Sequence, residues 1–108
     1  MTRKSGIVVV LSTATPEQAP ALAKSLVERR FAACVNILPV RSVYRWQEKI
    51  CDEGETLLIV KTREENADSV IAAIRQEHRY DVPEIIVLPV VKGYAPYLDW
   101  VCRETSKP

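Results

Sequence analysis

Residues 32–62 read AACVNILPVRSVYRWQEKICDEGETLLIVKT, and the fold is decided there. Ala32–Leu38 is an apolar strand. Pro39 interrupts it, so a bulge or an edge position is expected at that point. Val40–Trp46 continues with the β-favouring Val43, Tyr44 and Trp46. Gln47-Glu48 is the tip of a hairpin, and Lys49–Thr62 returns as a strand with a break expected at Asp52-Glu53-Gly54. The heart of that strand, TLLIV (Thr56–Val60), is apolar on both faces.

Working outward, GIVVVLS (Gly6–Ser12) is a strand of the same fully apolar type. Thr15 is a candidate N-cap, Pro16 suits a first helical position, and Gln18 completes a capping box. Pro20 falls one turn in, where it shifts or bends the start. The helix carries Ala19, Leu22, Ala23, Leu26 and Val27 on one face and ends near Arg30. On the other side of the hairpin, Thr62-Arg63-Glu64-Glu65 is a second capping box. It leads a stripe of Ala67, Val70, Ile71 and Ile74, which His78 continues at the C-terminus. Arg79–Pro83 is a loop, Glu84–Val91 is the fourth strand with Pro89 marking an edge or bulge, and Pro96 opens a short third helix.

The order is βαββαβ plus a terminal helix, with no linker, repeat or low-complexity stretch. This is an α+β, ferredoxin-like sandwich in one domain, residues 1–108, with an extended hairpin between the second and third strands and a short C-terminal helix. The usual spatial order, 4-1-3-2, makes every neighbouring pair antiparallel. Two long helices cover one face of such a sheet. The strands here are apolar on both faces, and the terminal helix is too short to cover the second alone. Exposed apolar area of that extent marks an interface, so an oligomer built through the sheet is expected.

Composition narrows the function. Fifteen Lys+Arg against 14 Asp+Glu leave a formal net charge of +1, without the basic surplus a nucleic-acid binder uses. No apolar run is long enough to cross a membrane. The run Ile7–Leu11 is too short for a signal-peptide core, so the basic start followed by an apolar strand reads as a cytoplasmic protein. Cys34, Cys51 and Cys102 form neither a disulfide framework nor zinc-finger spacing. His78 is the single histidine, so no site in one chain can use two. A phosphate loop, a catalytic triad and paired acid–base spacing are all missing, which argues against an enzyme.

The segments RRFAACVNILPV (Arg29–Val40), SVYRWQEKI (Ser42–Ile50), ETLLIVKT (Glu55–Thr62), HRYDVPEIIVLPV (His78–Val90) and YLDW (Tyr97–Trp100) occur in this order. Together they resemble the CutA family of divalent-cation tolerance proteins, over Ile7 to Trp100. The resemblance implies a ferredoxin-like subunit and a homotrimer assembled like the PII signalling proteins. It implies a role in the cellular response to metal ions, with copper(II) or another divalent cation bound, not necessarily tightly. It places the metal ligands at Cys34, His78 and Glu84. Glu48 departs from the glycine that the family often has in its WxGK turn, and Tyr94 from a small or polar residue.

Each of these residues also has a plainer reading. Cys34 suits a small buried hydrophobe, His78 a helix C-terminus, and Glu84 a strand-entry carboxylate. The strand order adds a constraint. The second and fourth strands lie on opposite edges, roughly 14 Å apart, and Cys34 and Glu84 start them at opposite ends. One subunit therefore cannot give both to one ion, and the full set needs a neighbouring subunit. His78 and Glu84 are the closer pair. As an alternative, Lys49, Lys61, Arg41 and Arg45, with Trp46, would line an anion or nucleotide pocket between subunits of a PII-like module. Those cations better suit a solvated strand edge that blocks aggregation. No protein partner, nucleic acid or membrane is indicated beyond the homotrimer.

Overall fold

The structure is a computed structural model and describes residues 5–78 and 81–106. Arg3 and Lys4 of the basic start, and Arg79 and Tyr80 of the expected loop, lie outside the described residues. The elements run β1 (Ile7–Ala14), α1 (Ala19–Glu28), β2 (Cys34–Trp46), β3 (Lys49–Arg63), a 3₁₀ turn (Glu64–Asn66), α2 (Ala67–Glu77), β4 (Ile85–Val90) and α3 (Ala95–Glu104). The sheet order is β2-β3-β1-β4, with every pair antiparallel. This is the expected ferredoxin-like arrangement read from the other edge.

Alternation along the strands sorts the side chains onto two faces. Val8, Val10 and Ala14 of β1 and Leu58 and Val60 of β3 are buried against Leu22 and Leu26 of α1 and Val70 and Ile74 of α2. This is the main core. The opposite face has one short cover. α3 seats Val101 over Ile7 and Ala33, with Leu98 and Trp100 packed alongside. Further along the same face, Ile86 and Leu88 remain 49% and 44% exposed. The second face is therefore open in one chain, as its apolar composition anticipates.

Several local expectations need correction. β2 pairs with β3 without interruption from Cys34↔Lys61 to Trp46↔Lys49. Of the two alternatives expected at Pro39, the edge position holds and the bulge does not: β2 is an edge strand, where an outward-facing position has no ladder bond to lose. Asp52-Glu53-Gly54 makes no break either. Arg41 lies opposite Gly54 and donates both Nε and Nη2 to the Asp52 carboxylate, each at 2.8 Å. That diagonal cross-strand pair bridges the glycine and holds the Asp52 carboxyl below its usual range. The capping box at Thr62 is not formed. Thr62 stays in β3, fully buried, and its hydroxyl donates to the Phe31 carbonyl at 2.6 Å. At α1, Thr15 Oγ1 does accept the Gln18 N–H at 3.2 Å, but the helix proper begins at Ala19, so Pro20 takes the proline-tolerant first turn. Glu84 and Val91 flank β4 rather than belonging to it.

β1 pairs with β3 only over Thr56–Arg63, so the distal halves of β2 and β3 project as a two-stranded arm. Its exposed apolar residues include Val43 at 65% and Ile50 at 63%. An isolated two-stranded ribbon is marginal in water. The tip adds strain, since Gln47 and Glu48 both have positive φ, 50° and 64°. A two-residue turn of this kind favours glycine at its second position. Glu48→Gly is expected to raise stability by about 1 kcal/mol, because the left-handed region disfavours a side chain by that order. Urea unfolding of the two proteins checks it; an unchanged midpoint would mean the tip conformation is not strained.

Candidate functional site

Side chains of the open face fall into rows across the sheet. The row nearest α3 runs Cys34–Lys61–Val9–Leu88. Lys61 Nζ lies 3.8 Å from Cys34 Sγ and also donates to the Asn36 side-chain oxygen. Tyr97 reaches the thiol from α3, and burial, then Cys34, push its hydroxyl up in pKa. Cys34 is thus half-buried in a polar cluster, not in the apolar core.

The opposite end of the face is built differently. A groove of about 760 Å³ opens between the β2–β3 arm and the segment leading into β4. Glu53 and Glu55 come from β3, and Asp81 and Glu84 from the β4 side. Tyr44 and Trp46 supply aromatic wall from β2, and Thr13 lines the groove at the end of β1. No Lys or Arg among the described residues lines it. The Tyr44 hydroxyl donates to Glu53, and that bond raises the phenol well above its ordinary pKa. Tyr44 therefore stays neutral.

His78 caps α2 in extended conformation, its N–H donating to the Ile74 carbonyl at 2.9 Å. Its Nε2 is hydrogen-bonded to the Thr13 carbonyl. A carbonyl only accepts, so Nε2 carries a proton in this arrangement. A metal at His78 would bind Nδ1 or displace the Thr13 bond. Glu84 directly precedes β4, whose first residue Ile85 pairs with Ser12. His78 and Glu84 therefore both lie toward the Thr13 end of β1. Cys34 does not join them within one chain. It sits on the far edge, in the row of Val9, three strand spacings or roughly 14 Å away before any offset along the strands. Among the described residues, no three His, Cys, Asp or Glu side chains converge to hold a metal ion.

The four cations read as an anion pocket are dispersed in one chain. Alternation puts Arg41 and Arg45 on the helix-covered side of the sheet and Lys49, Lys61 and Trp46 on the open side. Arg41 is occupied by Asp52. Lys49 and Lys61 lie about 40 Å apart along β3. The acidic groove went unnoticed in the sequence. Its signal was the alternation of Ser42, Tyr44 and Trp46 on β2 and of Glu53 and Glu55 on β3, which the pairing Ser42↔Glu53 places on one side of the arm.

A family model for the CutA1 divalent ion tolerance proteins matches residues 7–104. The chain belongs to the CutA1 family. It is 42% identical over 100 residues to the divalent-cation tolerance protein CutA of Thermus thermophilus, covering 92% of this chain and 97% of that one. It is 41% identical over 102 residues to the chloroplastic CutA 1 protein of rice, covering 94% of this chain but 58% of the longer rice protein. Among solved structures, rice CutA1 superposes with a TM-score of 0.90 at 39% identity, over 99% of this chain and 98% of that one. The Nostoc CutA, described as PII-like and in its apo form, gives 0.88 at 33% identity over 92% and 97%. The Archaeoglobus fulgidus CutA, described as a periplasmic divalent cation tolerance protein, gives 0.90 at 36% identity over 93% and 99%. CutA membership accounts for the split βαβ order and the PII-like sheet. No helix among the described residues is long and apolar enough to cross a membrane.

Proposed function

We propose that the chain is a cytoplasmic, non-enzymatic divalent-cation tolerance protein. It acts as a homotrimer, binds copper(II) or a similar divalent cation, and contributes to the cellular response to metal ions. The observation that carries this reading is the placement of His78 and Glu84 at the Thr13 end of β1 in a chain of the CutA1 family. Imidazole nitrogen and carboxylate oxygen suit copper(II), and a thiolate such as Cys34 adds a soft ligand. Cys34 would have to come from a neighbouring subunit. The open sheet face supports assembly, and the metal would then sit where protomers meet.

Calorimetry with copper(II) on wild type and His78→Ala tests the reading. The variant is expected to lose at least about tenfold in affinity, since each chain has one imidazole. Wild-type affinity should also weaken on acidification, because ligands must lose their protons to bind. Equal affinity in the two proteins would move the metal away from His78. A PII-like signalling module is the second reading, favoured by the PII-like description of the Nostoc structure. Its anion would need cations gathered from several protomers, since the groove of one chain is lined by carboxylates.

A further inference from the structure

Cys34 and Lys61 are directly opposed across β2 and β3, so the strand ladder itself holds a thiol and an amine side by side. Lys61 Nζ lies 3.8 Å from Cys34 Sγ, close to van der Waals contact. Its other partner is the neutral side-chain oxygen of Asn36. None of the ion pairs among the described residues uses Lys61, so no carboxylate competes for its nitrogen. Tyr97 of α3 closes over the thiol from one side, while Asn36 is exposed and leaves the pair a path to solvent on the other.

The pair differs from its surroundings in two ways. Cys51 and Cys102 are also free and half-buried, but no hydrogen bond joins either to a lysine among the described residues. The sulfur also stands apart from the apolar stretch read as the contact between chains. Cys34 is on the edge strand β2, roughly 14 Å across the sheet from Leu88 on the other edge. An oxidised cysteine condenses with whichever nucleophile is nearest, a thiol or a nitrogen. Here the nearest is an amine.

We propose that Cys34 and Lys61 are an oxidative cross-linking site, at which hydrogen peroxide drives formation of a covalent sulfur–nitrogen bond between β2 and β3. Peroxide first converts the Cys34 thiol to sulfenic acid; its O–O bond breaks and one water is released. Lys61 Nζ, after its ammonium gives a proton to solvent, then attacks that sulfur. The N–S bond forms, the S–O bond breaks, and the departing hydroxide becomes water with a proton from nitrogen. The protein loses two hydrogens and two electrons, and the peroxide becomes two waters. The bond would consume the thiol that the metal reading takes from Cys34, so oxidant and soft metal compete for one sulfur. The chemistry rests on the pair alone and is tested without metal.

The metal-free full chain is treated with hydrogen peroxide and read by intact mass, then by tryptic mapping without reductant. Loss of two hydrogens is expected, with the Cys34 peptide joined to the Lys61 peptide and no cleavage after Lys61. Dithiothreitol should restore the starting mass. Lys61→Arg keeps the charge but replaces the amine. It is expected to lose the cross-link completely, while its Cys34 sulfenic acid is still trapped by dimedone. Cys51→Ser with Cys102→Ser should cross-link as wild type does. A wild-type Cys34 that is oxidised without joining Lys61 would overturn the proposal. So would dimedone labelling of oxidised Cys34 only in urea, which would put the thiol inside the contact between chains. A Cys34 joined to another cysteine would overturn it as well, by making the sulfur's partner a thiol.

Discussion

Ile86→Lys combined with Leu88→Lys is expected to reduce the assembled particle to a single 12.2 kDa chain in sedimentation equilibrium. Both positions face away from α1 and α2 on the edge strand β4, and both are about half exposed in one protomer. In an isolated chain the lysines would extend into water at little cost, and far-ultraviolet circular dichroism should stay unchanged. In an assembly through this face each would bring an unpaired charge into an apolar contact, costing several kcal/mol per site. Three copies multiply the penalty. The effect therefore discriminates: a surface role leaves the mass untouched, whereas an interface role abolishes assembly. A wild-type protein that sediments as one chain at micromolar concentration would end the trimeric reading outright. A trimer that survives both lysines would place the contact on the arm instead.

What the sequence disclosed, and what it concealed, follows from the range of the interactions. Runs such as Ile7–Leu11 and Thr56–Val60 are apolar on both faces, so their strand character and central position were legible from composition alone. The hairpin tip at Gln47-Glu48 was found from the flanking β-favouring residues, although neither residue is a natural turn former. Capping at Thr62 was misread because the same Thr-x-x-Glu pattern serves a helix start or a buried strand end. Only the carbonyl of Phe31, brought close by folding, decides between them. The expected break at Asp52-Glu53-Gly54 failed for a related reason, since Arg41 reaches across from the partner strand. The separation of Cys34 from Glu84 needed only strand order and was derivable. The acidic groove was not, because Glu55 and Glu84 lie on β3 and at the entry of β4. They share a groove only once folding brings the β2–β3 arm and the segment leading into β4 to the same end of the sheet.

Leu58→Ala is expected to destabilise the fold by about 3 kcal/mol, independently of protein concentration in its local part. Leu58 is fully buried on the helix-covered face of β3, in the cluster with Val10, Val60, Leu26 and Ile74. Its removal leaves a cavity in a layer pinned on one side by a hydrogen-bonded sheet and on the other by two helices. The surroundings therefore have little freedom to collapse. Leu88→Ala provides the contrast. At 44% exposure it forfeits little within one chain, less than about 1 kcal/mol, and leaves no enclosed void. If the open face is an interface, however, its full cost appears through assembly. The loss should then grow as the protein is diluted, because mass action ties apparent stability to association. Denaturant unfolding of both variants at two protein concentrations separates the two faces of the sheet. The same concentration response in Leu58→Ala and Leu88→Ala would mean that the open face does not bear the contact between chains.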